Sequence, residues 1–493
     1  MQLSKSDYLM YLRHPAWLWL KKHAKEKLPP VDGNLQAIFD AGHAFEPYAE
    51  SLFRDGVTIG FDTFAQYRTM PARTITALDD DASVLFQGRF EAGDLTCIFD
   101  VLERIDGNRF HLYEIKSTTK DKPEHIEDLA FQKIVLEQAG LVIERISVIV
   151  VNNEYVRQGD IDPKGLTKTI EVTQKVDAHL DATAVQIAEA LNVMQSTTMP
   201  DISPRHAAQS SLKDWLEIFL TLKLDTDPYS IYQLSPQHGD LIGELEDQGF
   251  ERIKDIPEDF VFQNHDHQRH VELTKLGTPV VQRDRITAFL EQFQYPLYFF
   301  DYETMSSIVP AVDGIRPYQQ LPMQYSLHIL HEPDGQLEHR EFLHREPTNP
   351  GLALLTQLTA DIGETGSVIV WHQAFEKGRN TELGQMFPAF ADAMERLNDR
   401  VIDLKIPFSE DWYEDYRFLG SASIKYVLPV LVPELSYKAL RVQEGQTAQR
   451  LWMETILEGK HADRKEQILL DLLEYCKLDT LAMVKIYEVL RGL

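Results

Sequence analysis

Residues 299–305 read FFDYETM, directly after QYPLY. Along a strand, positions i and i+2 face the same way. Asp301 and Glu303 therefore share one face of a run that is otherwise apolar enough for a central strand. Two ionised carboxylates side by side in a buried place are costly. Two readings follow: an edge strand with a solvated face, or a strand that holds a cation between its acids.

The 493 residues exceed what a single core usually serves, so two or three domains are expected. Residues 1–205 alternate helical and strand patterns, 206–290 read mostly as helices, and 291–493 alternate again. The fold class expected is α/β. The formal charge of −28 argues against a protein that coats nucleic acid, but a catalytic site can use carboxylates with only a small basic path. The start, YLMYLRHPAWLWLKKH, is broken by Arg13, His14 and Pro15 and reads as an amphipathic helix rather than a signal peptide. Two distant cysteines, Cys97 and Cys476, suit a reducing cytoplasm and exclude a cysteine-built metal centre. No phosphate-binding G-x-x-x-x-G-K-[ST] loop is present, which argues against an ATP-driven motor. No membrane partner is expected.

Two strands joined at DGN make up LTCIFDVLERIDGNRFHLYEIKSTT, residues 95–119. With Asp106, Gly107 and Asn108 as the turn, Asp100 lies opposite Glu114, and Lys116 shares their face. A two-residue turn would shift the register by one and separate the acids. Two carboxylates can hold Mg²⁺ or Mn²⁺, and an ammonium can orient water beside them. A surface ion-pair cluster is the bland alternative.

Asp100 followed by Glu114-Ile115-Lys116 resembles the PD-(D/E)XK nucleases, especially their RecB-type exonuclease branch. The helix AGHAFEPYAESLF, with His43 and Glu46, and the helix EDLAFQKIVLEQAG, with Gln132, match the branch's flanking blocks. The resemblance implies a PD-(D/E)XK restriction-endonuclease-like domain over 1–205. It implies His43, Glu46, Asp100 and Glu114 around a metal ion, with Lys116 and Gln132 in catalytic roles. Leu136 stands where the branch often has Tyr. Many relatives hold an iron–sulfur cluster through cysteines; here His14 takes the early position, so no cluster is expected.

Near the C-terminus, LLDLLEYCKLDTLAMVKIYEVL is an amphipathic helix on which Tyr475 and Asp479 share a face. An Asp-x-Glu strand with a late Tyr-x-x-x-Asp helix resembles the DEDDy exonucleases of the RNase H-like superfamily, over residues 291–493. This implies Asp301, Glu303 and Asp479 as ligands of Mg²⁺ or Mn²⁺, with Tyr475 positioning the attacking water. The middle motif is represented by VIVWHQAFEKGRN and RVIDLKIPF. Glu376 is taken as the direct ligand and Asp403 as nearby support. The whole chain resembles a group of bacterial proteins that join these same two nuclease-like domains in one chain.

The expected function is a metal-dependent nuclease, an exonuclease, with two sites acting on DNA, and RNA as an alternative substrate of the second. The departures in the middle motif leave open a scaffold whose C-terminal domain grips an end without cutting. His265, His267 and His270 read as solvated imidazoles of a polar loop rather than a zinc site. EDWYEDY at 410–416 reads as a solvated loop or partner surface.

Overall fold

The computed structural model describes residues 1–224 and 226–493. They form two compact units, residues 1–226 with 237–249, and residues 227–236 with 250–493. The helical stretch 206–290 is thus divided between the units rather than standing as a region of its own.

The first unit is built on a seven-stranded mixed sheet. Its strands are β1 (Leu3–Ser4), β2 (Val57–Thr58), β3 (Val84–Ala92), β4 (Leu95–Asp106), β5 (Arg109–Lys116), β6 (Val142–Val151) and β7 (Thr167–Glu171). The order is β2-β3-β4-β5-β6-β7, with β1 parallel to the start of β4. The helix Pro123–Gln138 carries the chain from β5 to its parallel neighbour β6.

The β4–β5 hairpin corrects one expectation. Asp106 pairs with Arg109, so the turn is the two residues Gly107 and Asn108, not three. A bulge between Arg104 and Asp106 absorbs the extra residue, and Val101 still faces Tyr113. The next positions outward are Asp100 and Glu114, so the bulge restores the register that the short turn alone would have lost.

The second unit contains β8 (Val280–Val281), β9 (Leu297–Met305), β10 (Leu321–Leu330), β11 (Leu337–Leu343), β12 (Ser367–Val370), β13 (Val401–Asp403) and β14 (Tyr413–Glu414). Its main sheet has the order β11-β10-β9-β12-β13, so FFDYETM lies on the central strand and not on an edge. β10 runs antiparallel to β9, whereas β12 and β13 extend the sheet in parallel. Leu297 and Phe299 pack into one core, and Tyr298, Phe300 and Tyr302 into another. Alternation therefore puts Asp301 and Glu303 on the Leu297–Phe299 face. Pairing with β12 ends at Phe299, leaving both acids beyond the carboxyl end of the parallel pair. Open α/β sheets place their sites there.

Two polar segments are more buried than the sequence suggests. The histidine segment forms the helix His265–Leu276 with His267 and His270 buried. His267 Nε2 bonds the Pro236 carbonyl at 2.6 Å, and His270 Nδ1 accepts from Ser235 N–H at 3.2 Å. In EDWYEDY, Tyr413, Glu414 and Asp415 are buried because β14 pairs with β8 and Arg269 neutralises Glu414. No helix among the described residues is long and apolar enough to cross a membrane.

Candidate active sites

In the second unit, strand alternation supplies Asp301 and Glu303, and the helix Lys465–Arg491 supplies Asp479. One carboxylate oxygen from each lies within 4.8 Å of the others. Among the described residues this is the one group of three or more such ligands gathered so closely. At such separations two unit charges repel by roughly 3–4 kcal/mol at an effective dielectric constant of about 20. Burial, then Asp479 and Glu303, raise the Asp301 carboxyl well above its ordinary range. Burial and the Asp479 charge push Glu303 up to about 8. Burial pushes Asp479 up to about 7, against the pull of the Tyr437 hydroxyl and Lys425. Three hard oxygen donors with unbalanced charge suit Mg²⁺ or Mn²⁺.

The tyrosines divide their work. Tyr437 O–H donates to Asp479 Oδ1 at 2.5 Å. Tyr475 is buried, its ring centroid 6.1 Å from that of Tyr437. Burial, then the Asp479 charge, raise both phenols above their usual range, so both remain protonated donors. Burial likewise keeps the Cys476 thiol protonated; its Sγ lies 4.0 Å from Asp301 Oδ2.

Glu376 and Asp403 have different places. Asp403 Oδ2 accepts from Gln373 N–H and Oδ1 from Lys405 N–H, both at 3.0 Å. Because Gln373 begins the helix Gln373–Met386, Asp403 caps that helix from the neighbouring strand. Glu376 sits in the helix's first turn, buried, with Oε2 lacking a hydrogen-bond partner. Burial, then the Asp403 charge, push its carboxyl up to about 8. Its charge also reaches Asp301, although it stands outside the tight three-acid group.

In the first unit, Asp100 Oδ2 accepts from Ile115 N–H at 2.7 Å. Glu114 Oε1 accepts from Lys116 Nζ at 2.7 Å and from Lys5 Nζ at 2.8 Å, and Oε2 from Gln132 at 2.8 Å. Burial alone would raise the Glu114 carboxyl, but the Lys116 and Lys5 charges hold it below its ordinary range. Asp100 is pushed up to about 7 by burial and then by the Glu114 charge. His43 Nδ1 and Glu46 Oε1 pair with each other at 3.0 Å on the helix Gly33–Glu50, with His43 exposed. They are not gathered into a tight ligand group with Asp100 and Glu114. Asp100 and Glu114 offer oxygens of the right type for a hard cation. Glu114 Oε1 accepts from two ammonium groups and Oε2 from one amide, so a divalent ion at Oε1 would displace one of these donors.

Asp128, Lys5 and Tyr437 were not evident from sequence spacing. Asp128 had a usable signal: it precedes Gln132 by four residues on a helix, so the two share a face. It receives Lys116 Nζ at 2.8 Å and Gln132 Nε2 at 2.9 Å. His14 caps the helix Pro15–His23 through Nδ1 and bonds the Ser203 carbonyl through Nε2 at 3.0 Å.

The chain is mixed α/β, with one close group of three carboxylates and a second group of acids paired with lysines. A family described as "Domain of unknown function (DUF2779)" matches residues 298–423, a span that includes Asp301, Glu303, Glu376 and Asp403. The "Uncharacterized protein MG366 homolog" of Mycoplasma pneumoniae is 27% identical over 205 residues, 38% of this chain and 31% of the relative. "Uncharacterized protein MG366" of Mycoplasma genitalium is 25% identical over 215 residues, 40% of this chain and 32% of the relative. The matched region thus spans less than a third of the length of either relative.

Proposed function

We propose that the chain is a metal-dependent nuclease that hydrolyses phosphodiester bonds in DNA at two separate sites, with RNA as an alternative substrate of the second. The observation that carries this reading is the close group of Asp301, Glu303 and Asp479 at the end of the central strand. The order β11-β10-β9-β12-β13 supports an RNase H-like domain, and antiparallel β3-β4-β5 followed by a crossover helix and β6 supports a PD-(D/E)XK-like one.

In the second unit, Asp301, Glu303 and Asp479 would hold Mg²⁺ or Mn²⁺. When bound, such an ion supplies Lewis acidity and lowers the pKa of a bound water. The strand fixes Asp301 and Glu303, and Tyr437 fixes the rotamer of Asp479. Tyr475, kept protonated by burial, can orient a water by hydrogen bonding. Glu376 brings the further negative charge that two ions would need. In the first unit, Lys116 and Gln132 orient Glu114, and Asp128 holds Lys116 in place.

Mn²⁺ titration should separate Glu376 from Asp403. Glu376→Gln removes one of two binding events in the second unit, whereas Asp403→Asn, which loosens a cap, weakens binding by about 10–100-fold. The reverse pattern would exchange their roles.

The reading is tested with end-labelled single- and double-stranded DNA and RNA and either ion. Asp301→Asn and Lys116→Met should each remove one activity and spare the other. No hydrolysis of any substrate, or loss of both activities from one folded variant, would overturn it. The neutralised acids of the first unit favour a second reading, in which that unit grips nucleic acid and only the second unit cuts. Activity confined to the Asp301-dependent site would select it. The opposite scaffold, with the C-terminal unit inactive, predicts activity that survives Asp301→Asn undiminished.

A further inference from the structure

Glu114 and Asp128 have side chains only 2% and 1% exposed, and two ammonium groups lie between them. Lys116 arrives with the motif on β5. Lys5 comes from 109 residues away, 2.8 Å from Glu114 Oε1 and 3.8 Å from Asp128 Oδ1. The fold delivers it. β3 covers one edge of β4, β5 pairs on the other edge only from Val101 onward, and β1 fills the remainder opposite Leu95 and Thr96. A capping box between Ser4 and Asp7 then starts a helix at Lys5. Buried Asp7 fixes that turn further by accepting from Lys22 at 2.6 Å. The Lys5 side chain remains 22% exposed, so it has a route of withdrawal toward solvent.

We infer that Lys5 is a built-in counter-cation of the first unit's site, which competes with a divalent metal ion for Glu114 and is displaced when that ion binds. The inference rests on reading Asp100 and Glu114 as metal ligands. Glu114 Oε1 cannot keep two ammonium groups at hydrogen-bond distance and also accept an ion at ligand distance, because like charges would crowd one oxygen. Lys116 is the better held of the two, with a second short bond to Asp128 at 2.8 Å, so Lys5 is the one to leave.

The test uses the full chain carrying Asp301→Asn and Asp479→Asn, which disables the acid group of the second unit. Mn²⁺ binding is followed by calorimetry with Lys5 present, with Lys5→Met, and with Lys5→Gln, which keeps a hydrogen-bond donor without the charge. Both substitutions should tighten Mn²⁺ binding by about tenfold or more, within the usual range of coupling between two ligands. Independently, reductive methylation of Lys5, read by mass spectrometry, should accelerate when Mn²⁺ saturates the protein. This second measurement does not depend on a Lys5 variant folding. Unchanged or weaker Mn²⁺ binding in the folded variants, with methylation indifferent to Mn²⁺, would overturn the counter-cation and leave the metal-site reading standing. Absence of Mn²⁺ binding in all three proteins would overturn both.

Discussion

Asp301→Asn should abolish hydrolysis at the second unit's site and, without metal at pH 8, make the protein more stable. Activity should fall by more than the roughly 10–100-fold expected of an outer-shell change, because a direct ligand is lost. The stability gain runs against the usual effect of substitution. It follows from removing one charge from the Asp301, Glu303 and Asp479 group, whose members repel one another. The folded state holds Glu303 and Asp479 at about 8 and about 7, above the ordinary carboxylate range. Between the unfolded and folded values the native protein therefore binds more protons than the unfolded chain. Stability contributed by this group is present at low pH and is lost as pH rises from about 4 toward 8. Calorimetry at pH 5.5 and 8 should show that loss in metal-free wild type and a smaller one in Asp301→Asn. Each kcal/mol recovered corresponds to about 2–4 °C in Tm for a unit of this size. Mn²⁺ should raise the Tm of the second unit more at pH 8 than at pH 5.5 in wild type, because fewer protons then compete with the ion for the three acids, and should raise it less in the variant. A variant less stable than wild type at pH 8 without metal would show that the acids are not in conflict.

The first unit should respond with the opposite sign. Lys116→Met removes an ammonium that lies 2.7 Å from Glu114 and 2.8 Å from Asp128. Both carboxylates are buried, and breaking a buried pair from one side costs about 3–5 kcal/mol. Lys5 and Gln132 still donate to Glu114, which places the expected loss near the lower figure. The N-terminal activity should disappear together with that stability, because Glu114 and Gln132 lose the group that orients them. Denaturant titration measures the first effect and nuclease assays on the remaining folded protein measure the second. A stability change below about 1 kcal/mol, the size typical of exposed ion pairs, would mean that the network is a surface cluster after all.

The two expected responses differ in sign because net charge does not describe the surroundings of either site. The chain is strongly acidic overall, yet Glu303 and Asp479 feel the charge of Lys425 without a salt bridge among the described residues, whereas Glu114 is paired with two ammonium groups. What separates them is which helix meets which strand end. The helix Lys465–Arg491 brings a third carboxylate to β9, whereas the helix beginning at Lys5 brings a cation to β5.

Asp301 and Glu303 were legible as a same-face pair because strand alternation is a local rule, and Tyr475 and Asp479 because helical spacing is another. The register of Asp100 against Glu114 was also legible, but for an incomplete reason: the turn is shorter than expected and a bulge makes up the difference. The burial of His267, His270 and Glu414 was not legible, since a polar side chain carries no mark of the strand or carbonyl that will cover it. By itself the sequence determined the faces: which side chains on one strand or one helix point together, since backbone geometry sets that within a few residues. Only the tertiary structure decided which faces meet. Lys5 reaches Glu114 across 109 residues, Tyr437 reaches Asp479 across 42, and Asp403 caps the helix of Glu376 from another strand. Such pairings depend on where distant elements pack, and no local spacing records them.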